Sequence, residues 1–230
     1  MVTFSLFTYQ SSWSKFLALS MMGLARPFLF FRKGLVFWKL VGCGAGIGFS
    51  LKPDYGRYGL MAVWESNEAF DKFLNSTLYA IYKKLSSEQY HLKLATIQSK
   101  GAWSGVNPFE NIHNANLKPS PIVVLTRATI RLSKIRDFWN HVPIVSESLL
   151  DAKGLIASIG IGEVPVFKQA TLSIWKDLES VKEYAYKMEQ HKDVVVKTRT
   201  RNWYKEELFA RFAVVDSWGT WNGENPLKSH

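Results

Sequence analysis

The chain repeats itself. Gly101-Ala102-Trp103-Ser104-Gly105-Val106-Asn107-Pro108-Phe109 mirrors Gly219-Thr220-Trp221-Asn222-Gly223-Glu224-Asn225-Pro226-Leu227. A match of that length marks an internal duplication, so the fold must be one that a single supersecondary unit can build twice. A second pair agrees with it. Gly46-Ile47-Gly48 precedes a stretch ending Ala62-Val63-Trp64-Glu65, and Gly160-Ile161-Gly162 precedes one ending Ser173-Ile174-Trp175-Lys176. Each of these Trp residues opens a predicted helix, and the two glycine triplets are laid on each other.

The unit is legible from periodicity. Val2–Tyr9 reads as a strand, and Ser11 or Ser12 caps a helix through Trp13–Leu24 that Pro27 ends or bends. Gly34–Val41 is a second strand, Gly42–Gly48 a flexible glycine cluster, and Arg57–Trp64 a third strand. Ser66–Lys84 is predicted as one helix, with Phe70, Phe73, Leu74 and Ile81 at helical spacing. Leu92–Trp103 is a fourth strand, completing a β-α-β-β-α-β, ferredoxin-like order. Asn107–Pro121 is polar and reads as a linker. The pattern restarts with a strand at Ile122–Ile130. A helix at Ser133–His141 stops near Pro143, with a further turn at Val145–Leu150. Strands follow at Leu155–Gly162 and Lys168–Trp175, helices at Leu178–Met188 and Lys192–Lys205, and a strand at Leu208–Trp218.

The expected fold is therefore α+β: tandem ferredoxin-like halves, 1–110 and 120–230, whose sheets face each other and form an α+β barrel. Two separate beads on a linker are the alternative. A lone half leaves one sheet face bare, and the other half is the nearest apolar cover.

Composition excludes several classes. One cysteine, Cys43, among 230 residues rules out an intrachain disulfide, a cysteine zinc site and a cysteine-ligated iron–sulfur cluster. It fits a reducing cytoplasm. No stretch reaches about 20 uninterrupted apolar residues, so no spanning helix is expected. The start, MVTFSLFTYQ, lacks the charged leader of a signal peptide. The protein is expected in the cytoplasm, with peripheral contact at the inner face of a membrane if its substrate is oily. The net charge of +10 comes from scattered Lys and Arg without a nucleic-acid motif; it is either that of an ordinary basic protein or suits anionic lipid or an acidic redox partner such as a ferredoxin. Nine Trp and fifteen Phe point to a deep apolar pocket or a large aromatic core.

Of the five histidines, His191 stands out. His191, Val194 or Val195, Thr198 and Asn202 recur every three to four residues and share one face of the predicted helix. An imidazole on the inward stripe of a helix is a good axial ligand for haem iron. A satisfied core or surface histidine is the alternative. Lys197, Arg199 and Arg201 are either a solvated helix face or, in part, partners for haem propionates. Glu206–Glu207 reads as a helix-end pair, and one of the two can orient His191. Trp38, Trp64, Trp175 and Trp203 read as core, with a subset available to line the pocket of a long apolar substrate. Gly42–Gly48 looks like a dinucleotide fingerprint but lacks its strand–helix context. There is no G-x-S-x-G and no H-x-x-x-H.

A family resemblance rests on many dispersed motifs. In the first half these are Met22-Gly23-Leu24-Ala25-Arg26-Pro27, Phe37-Trp38-Lys39-Leu40, Gly46-Ile47-Gly48-Phe49 and Ala62-Val63-Trp64. In the second they are Thr126-Arg127-Ala128, Phe138-Trp139 with Val142-Pro143, Ile159 to Pro165, Ser173-Ile174-Trp175, Ala185-Tyr186, His191, Trp203 and Glu206 to Phe212. Over nearly its whole length the chain resembles the spheroidene monooxygenase family of carotenoid biosynthesis. The resemblance implies a haem-containing oxygenase that inserts oxygen near the end of an acyclic carotenoid, using O2 and electrons from ferredoxin. It implies a fold of the dimeric α+β barrel group and, with it, a homo-oligomer as one expectation. Carried onto this sequence, haem b would be held by His191 as metal ligand, with Arg199, Arg127 and Trp203 in the cofactor-binding set. Two departures bear on substrate choice: Cys43 stands where the family tends to carry Ser, and Phe28, Phe30 and Phe31 make the N-terminal helix more aromatic. Other readings are a haem enzyme of another type, dehydratase or peroxidase-like, on a small substrate, and a non-catalytic haem or lipid carrier.

Overall fold

The computed structural model describes residues 1–48, 50–110, 121–149, 151–187 and 201–228. Strand β1 (Val2–Thr8) leads into helix α1 (Ser12–Leu24), where the Ser11 hydroxyl caps by accepting from the Ser14 N–H at 3.0 Å. Pro27 sits in the first turn of a short helix α2 (Arg26–Phe30), the position where its missing N–H costs nothing. Strands β2 (Leu35–Gly44) and β3 (Pro53–Trp64) follow, so Gly42 to Gly44 belong to a strand rather than to a flexible cluster.

The single helix predicted over Ser66–Lys84 is two helices, α3 (Asn67–Leu74) and α4 (Thr77–Leu85). Ser76 breaks it: its backbone is extended, and its hydroxyl donates to the Phe73 carbonyl at 2.6 Å and accepts from the Tyr79 N–H. Short polar side chains compete in this way with the helical ladder. Strand β4 (Glu88–Gly101) ends the first half, and β5 (Ile122–Ile130) opens the second. A 3-10 turn at Leu132–Lys134 leads into helix α5 (Ile135–Ser148), which runs straight through Pro143 instead of stopping there. Proline inside a helix forfeits one hydrogen bond, and here the burial of Phe138, Trp139 and Val142 outweighs that loss.

Strands β6 (Leu155–Val164) and β7 (Lys168–Trp175), helix α6 (Leu178–Lys187) and strand β8 (Tyr204–Gly219) complete the chain. Most of the helix predicted over Lys192–Lys205 lies outside the described residues. Its end is a correction. Asn202 has a left-handed φ of 52° and Tyr204 already starts β8, so Asn202 lies in a turn and Glu206–Glu207 in a strand. Period-two alternation from Glu206 through Leu208, Ala210 and Phe212 overrides the helical pattern.

All eight strands close into one antiparallel barrel in the order β1-β3-β2-β6-β7-β5-β8-β4. The halves therefore do more than face each other: they share hydrogen-bonded edges. One seam, β4 with β8, runs from Tyr90↔Gly219 to Gly101↔Leu208, whereas the other, β2 with β6, pairs only Gly42↔Gly162 and Cys43↔Ile161. Closure gives every strand of the described residues a neighbour on both sides, though β2 and β6 meet only through those two pairs. Every second residue points inward, and Phe4, Leu6, Met61, Leu125, Leu172 and Phe212 fill the interior as a packed core. The helices lie outside.

Strand register defines the true repeat. Leu35 pairs with Trp64 as Leu155 pairs with Trp175, and Leu40 with Leu60 as Gly160 with Thr171. Gly42 and Gly162 are thus equivalents that meet across the pseudo-twofold axis. The glycine triplets do not match as laid on each other: Gly46 to Gly48 follow β2, while Gly160 to Gly162 lie inside β6. The terminal motifs match fully. Ser104 and Asn222 both adopt φ 60°, and each turn is held by a carboxylate of the opposite half, Glu206 on Ser104 and Gly105, Glu88 on Asn222 and Gly223.

Candidate functional site

Arg127 follows Val123 and Leu125 on the inward face of β5, and its side chain is 1% exposed. Its guanidinium is paired with Glu206 and, at 3.4 Å, with Glu163, and it lies 5.8 Å from the Trp103 ring centre. Glu163 also accepts from the Trp103 indole at 2.6 Å and meets Lys39 at 3.1 Å. Burial opposes ionisation of Glu163, but the Trp103 hydrogen bond and the Lys39 charge prevail and hold its carboxyl below the usual range. Glu206 behaves alike: burial is outweighed by the Gly105 and Ser104 N–H groups and by Arg127. Two cations and two anions thus tie β2, β5, β6 and β8 to the Trp103 turn. Arg127 Nε is buried without a partner among the described residues.

The outer faces of the two sheets differ. On the first, the cross-strand row is His91–Ser5–Leu60–Leu40, and its Leu60 and Leu40, with the neighbours Phe7 and Tyr58, lie in one continuous apolar cluster under α1 to α4. The equivalent row on the second is Phe209–Thr126–Thr171–Gly160, with Ala128 and Gln169 in place of Phe7 and Tyr58. Leu40 has become Gly160, Leu60 Thr171 and Phe7 Ala128. Among the described residues the apolar cover is accordingly split in two. One cluster centres on Trp175 and Tyr184 beside α6, the other on Trp139 and Trp203 beside α5. The shelf between them is built from small side chains. At its margin runs the row Arg211–Val124–Ser173–Ser158, where Arg211 Nε and Ser158 Oγ are buried without partners among the described residues. A flat apolar group with polar edges fits such a floor: small residues make room for it, and orphaned polar atoms await an acceptor or donor.

Trp203 is fully buried on this outer side, against Ile130, Phe138, Trp139 and Val142. Its indole donates to Asp137 at 2.7 Å, and that bond, aided by Arg201 at 2.7 Å, holds the Asp137 carboxyl below its ordinary range. His141 packs 5.2 Å from the Trp203 ring. Asp137 so pins the start of β8 to α5. Arg127 and Trp203 are therefore on opposite sides of the barrel wall. His191 and Arg199 lie outside the described residues.

No family model matches the chain. Its sequence is 35% identical over 227 residues to spheroidene monooxygenase of Rhodobacter capsulatus, spanning 98% of this chain and 94% of the relative. The chain belongs to the spheroidene monooxygenase family. The namesake from Cereibacter sphaeroides is 34% identical over 228 residues, 98% of this chain and 70% of its own length. In fold the chain is similar to an aldoxime dehydratase crystal structure, with a TM-score of 0.61 at 10% identity over 99% of this chain and 86% of that one. That likeness concerns the fold alone.

In this family member, sequence reasoning missed the shelf. Gly160, Thr171, Thr126 and Ala128 carry no motif. The signal was present in the repeat, but only register by strands, rather than by glycine triplets, sets Leu40 beside Gly160. Cys43, noted as a departure, is buried in the barrel interior among apolar neighbours, and burial pushes its thiol up.

Proposed function

We propose that the chain is a monooxygenase of long apolar, carotenoid-type substrates, that haem b would bind on the outer face of the second sheet, and that His191 would hold its iron. The observation that carries this reading is the loss of side-chain volume at Gly160, Thr171 and Ala128, in a chain whose relatives are named spheroidene monooxygenase. Residues 188–200, which include His191 and Arg199, fall in the sequence between α6 and β8 and lie outside the described residues.

Bound haem would supply activation of O2, with electrons from a ferredoxin-type donor. The chain's own residues do the rest. Gly160, Thr171, Thr126 and Ala128 leave room for the macrocycle and present a dry floor. Arg199 would pair with one propionate, and Arg211, whose Nε on the adjoining row has no partner among the described residues, would pair with the other. Arg127 acts indirectly, stiffening the wall behind the shelf through Glu163 and Glu206. Trp203 fixes the approach to β8 through Asp137. A surface carrying net charge +10 attracts an acidic electron donor.

Purification with haem supplementation tests the cofactor. A Soret band that His191→Ala abolishes is the expected result; protein that takes up no haem, or an unchanged spectrum in His191→Ala, rejects it. Incubation with an acyclic carotenoid, O2 and reduced ferredoxin tests the substrate class, with an oxygenated carotenoid as the expected product.

A further inference from the structure

The solvent-facing side of α1 and α2 is apolar. Trp13, Phe16, Leu19 and Leu24 on α1, and Phe28, Phe30 and Phe31 on and after α2, are each more than half exposed. Every exposed Phe and Trp among the described residues lies in this stretch. Trp13 stacks on Phe16 and Phe30 meets Phe31 edge-on, so the rings form a surface rather than isolated points. Beneath them Ala18, Ala25 and Leu29 are buried in the first-half cluster. The two helices are thus apolar toward the sheet and apolar toward solvent, and the outer side lacks a cover among the described residues.

Charge says what covers it. Residues 1–53 contain no Asp or Glu, yet carry Lys15, Arg26, Arg32, Lys33, Lys39 and Lys52. Arg32, Lys33 and Lys72 rim a shallow recess of about 500 Å³ with Pro27, Phe28 and Phe31. Arg26 and Arg32 lie over the Trp38 and Phe73 rings, and neither has an ion pair with a described residue. A second copy of this chain docked face to face would set these cations against one another. A surface that is both oily and anionic suits them: aromatic side chains settle at the boundary of headgroups and acyl chains, and Lys and Arg meet the phosphates.

We propose that the α1–α2 face docks the protein on an anionic phospholipid bilayer, with Trp13, Phe16, Phe28, Phe30 and Phe31 entering the interface and Arg26, Arg32 and Lys33 binding lipid phosphate. The inference stands on this face alone and holds whatever reaction the second half carries. Among the described residues no helix is long and apolar enough to cross a membrane, so the contact is a peripheral one.

Sedimentation of the full chain with vesicles tests it. Phosphatidylcholine vesicles containing phosphatidylglycerol are expected to bind at least about tenfold more tightly than phosphatidylcholine alone, and less so as salt rises. Phe30→Ser with Phe31→Ser, and Arg32→Glu with Lys33→Glu, are each expected to weaken binding about tenfold or more. Their circular dichroism should match the wild type, since the side chains are on the surface, and Lys176→Glu on the other half should bind normally. Wild-type protein left in the supernatant with anionic vesicles overturns the proposal, as do double variants that bind undiminished. A dimer that Phe30→Ser with Phe31→Ser dissociates, without vesicle binding, also overturns it and gives the face to a second copy.

Discussion

His91 stays neutral in the fold near pH 7, and that makes stability depend on pH. Its Nδ1 lies 2.9 Å from the Ser5 hydroxyl, its Nε2 3.1 Å from the Tyr79 hydroxyl, and Trp218 stacks on the ring. Burial lowers its pKa from the ordinary 6.5 to about 4. Between those values the unfolded chain binds a proton that the folded chain refuses. Stability is therefore complete above pH 6.5 and falls by roughly 3 kcal/mol as pH drops to 4. Denaturant titrations across that range measure it, and His91→Phe should flatten the upper part of the slope. Glu163 and Glu206, held below their ordinary range, add loss in the same direction at lower pH. Arg127→Met removes the cation that both carboxylates need, and urea unfolding is expected to show a loss of about 3 kcal/mol or more. Arg127 was legible as a candidate in the sequence, but its role was not. Its partners lie 36 and 79 positions away, and only the register of a closed barrel brings them together.

The strands were the readable elements, because alternation and turn residues mark them locally. Ile122–Ile130 and Lys168–Trp175 match their predicted limits. The errors fell on helices, where one residue decides: Ser76 splits a helix and Pro143 does not end one. The shelf on the second sheet was illegible for a different reason, since it is made of missing volume. Its test is to restore that volume. Gly160→Leu with Thr171→Leu copies Leu40 and Leu60 of the first sheet. The variant should fold, with a midpoint of unfolding at or above the wild type, and, if the shelf is the proposed haem site, haem uptake should fall at least about tenfold, as steric filling of a pocket demands. The terminal turns are less forgiving. Gly101 has φ +99° and any Cβ there would collide with the Glu207 carbonyl, so Gly101→Ala is expected to cost about 2 kcal/mol or more in thermal or denaturant unfolding.

The whole molecule is a ring made from two copies of one unit, and neither copy keeps its core dry alone. Residues 1–110 or 120–230 expressed separately should aggregate, because each exposes an apolar sheet face and two unpaired edges. Co-expression of the two pieces should restore soluble, folded protein, which co-purification and circular dichroism of the pair would show. The internal duplication announced this architecture in the sequence; the inequality of the joints it did not. One joint is a long ladder between β4 and β8, the other two residue pairs between β2 and β6, beside a recess of about 480 Å³ bordered by Gly46, Ile47, Ile159 and Trp221. Such a ring behaves like a book whose spine is β4–β8. Its covers part, when they part, along Gly42 and Gly162, and backbone amides there should exchange with deuterium well before those of the spine.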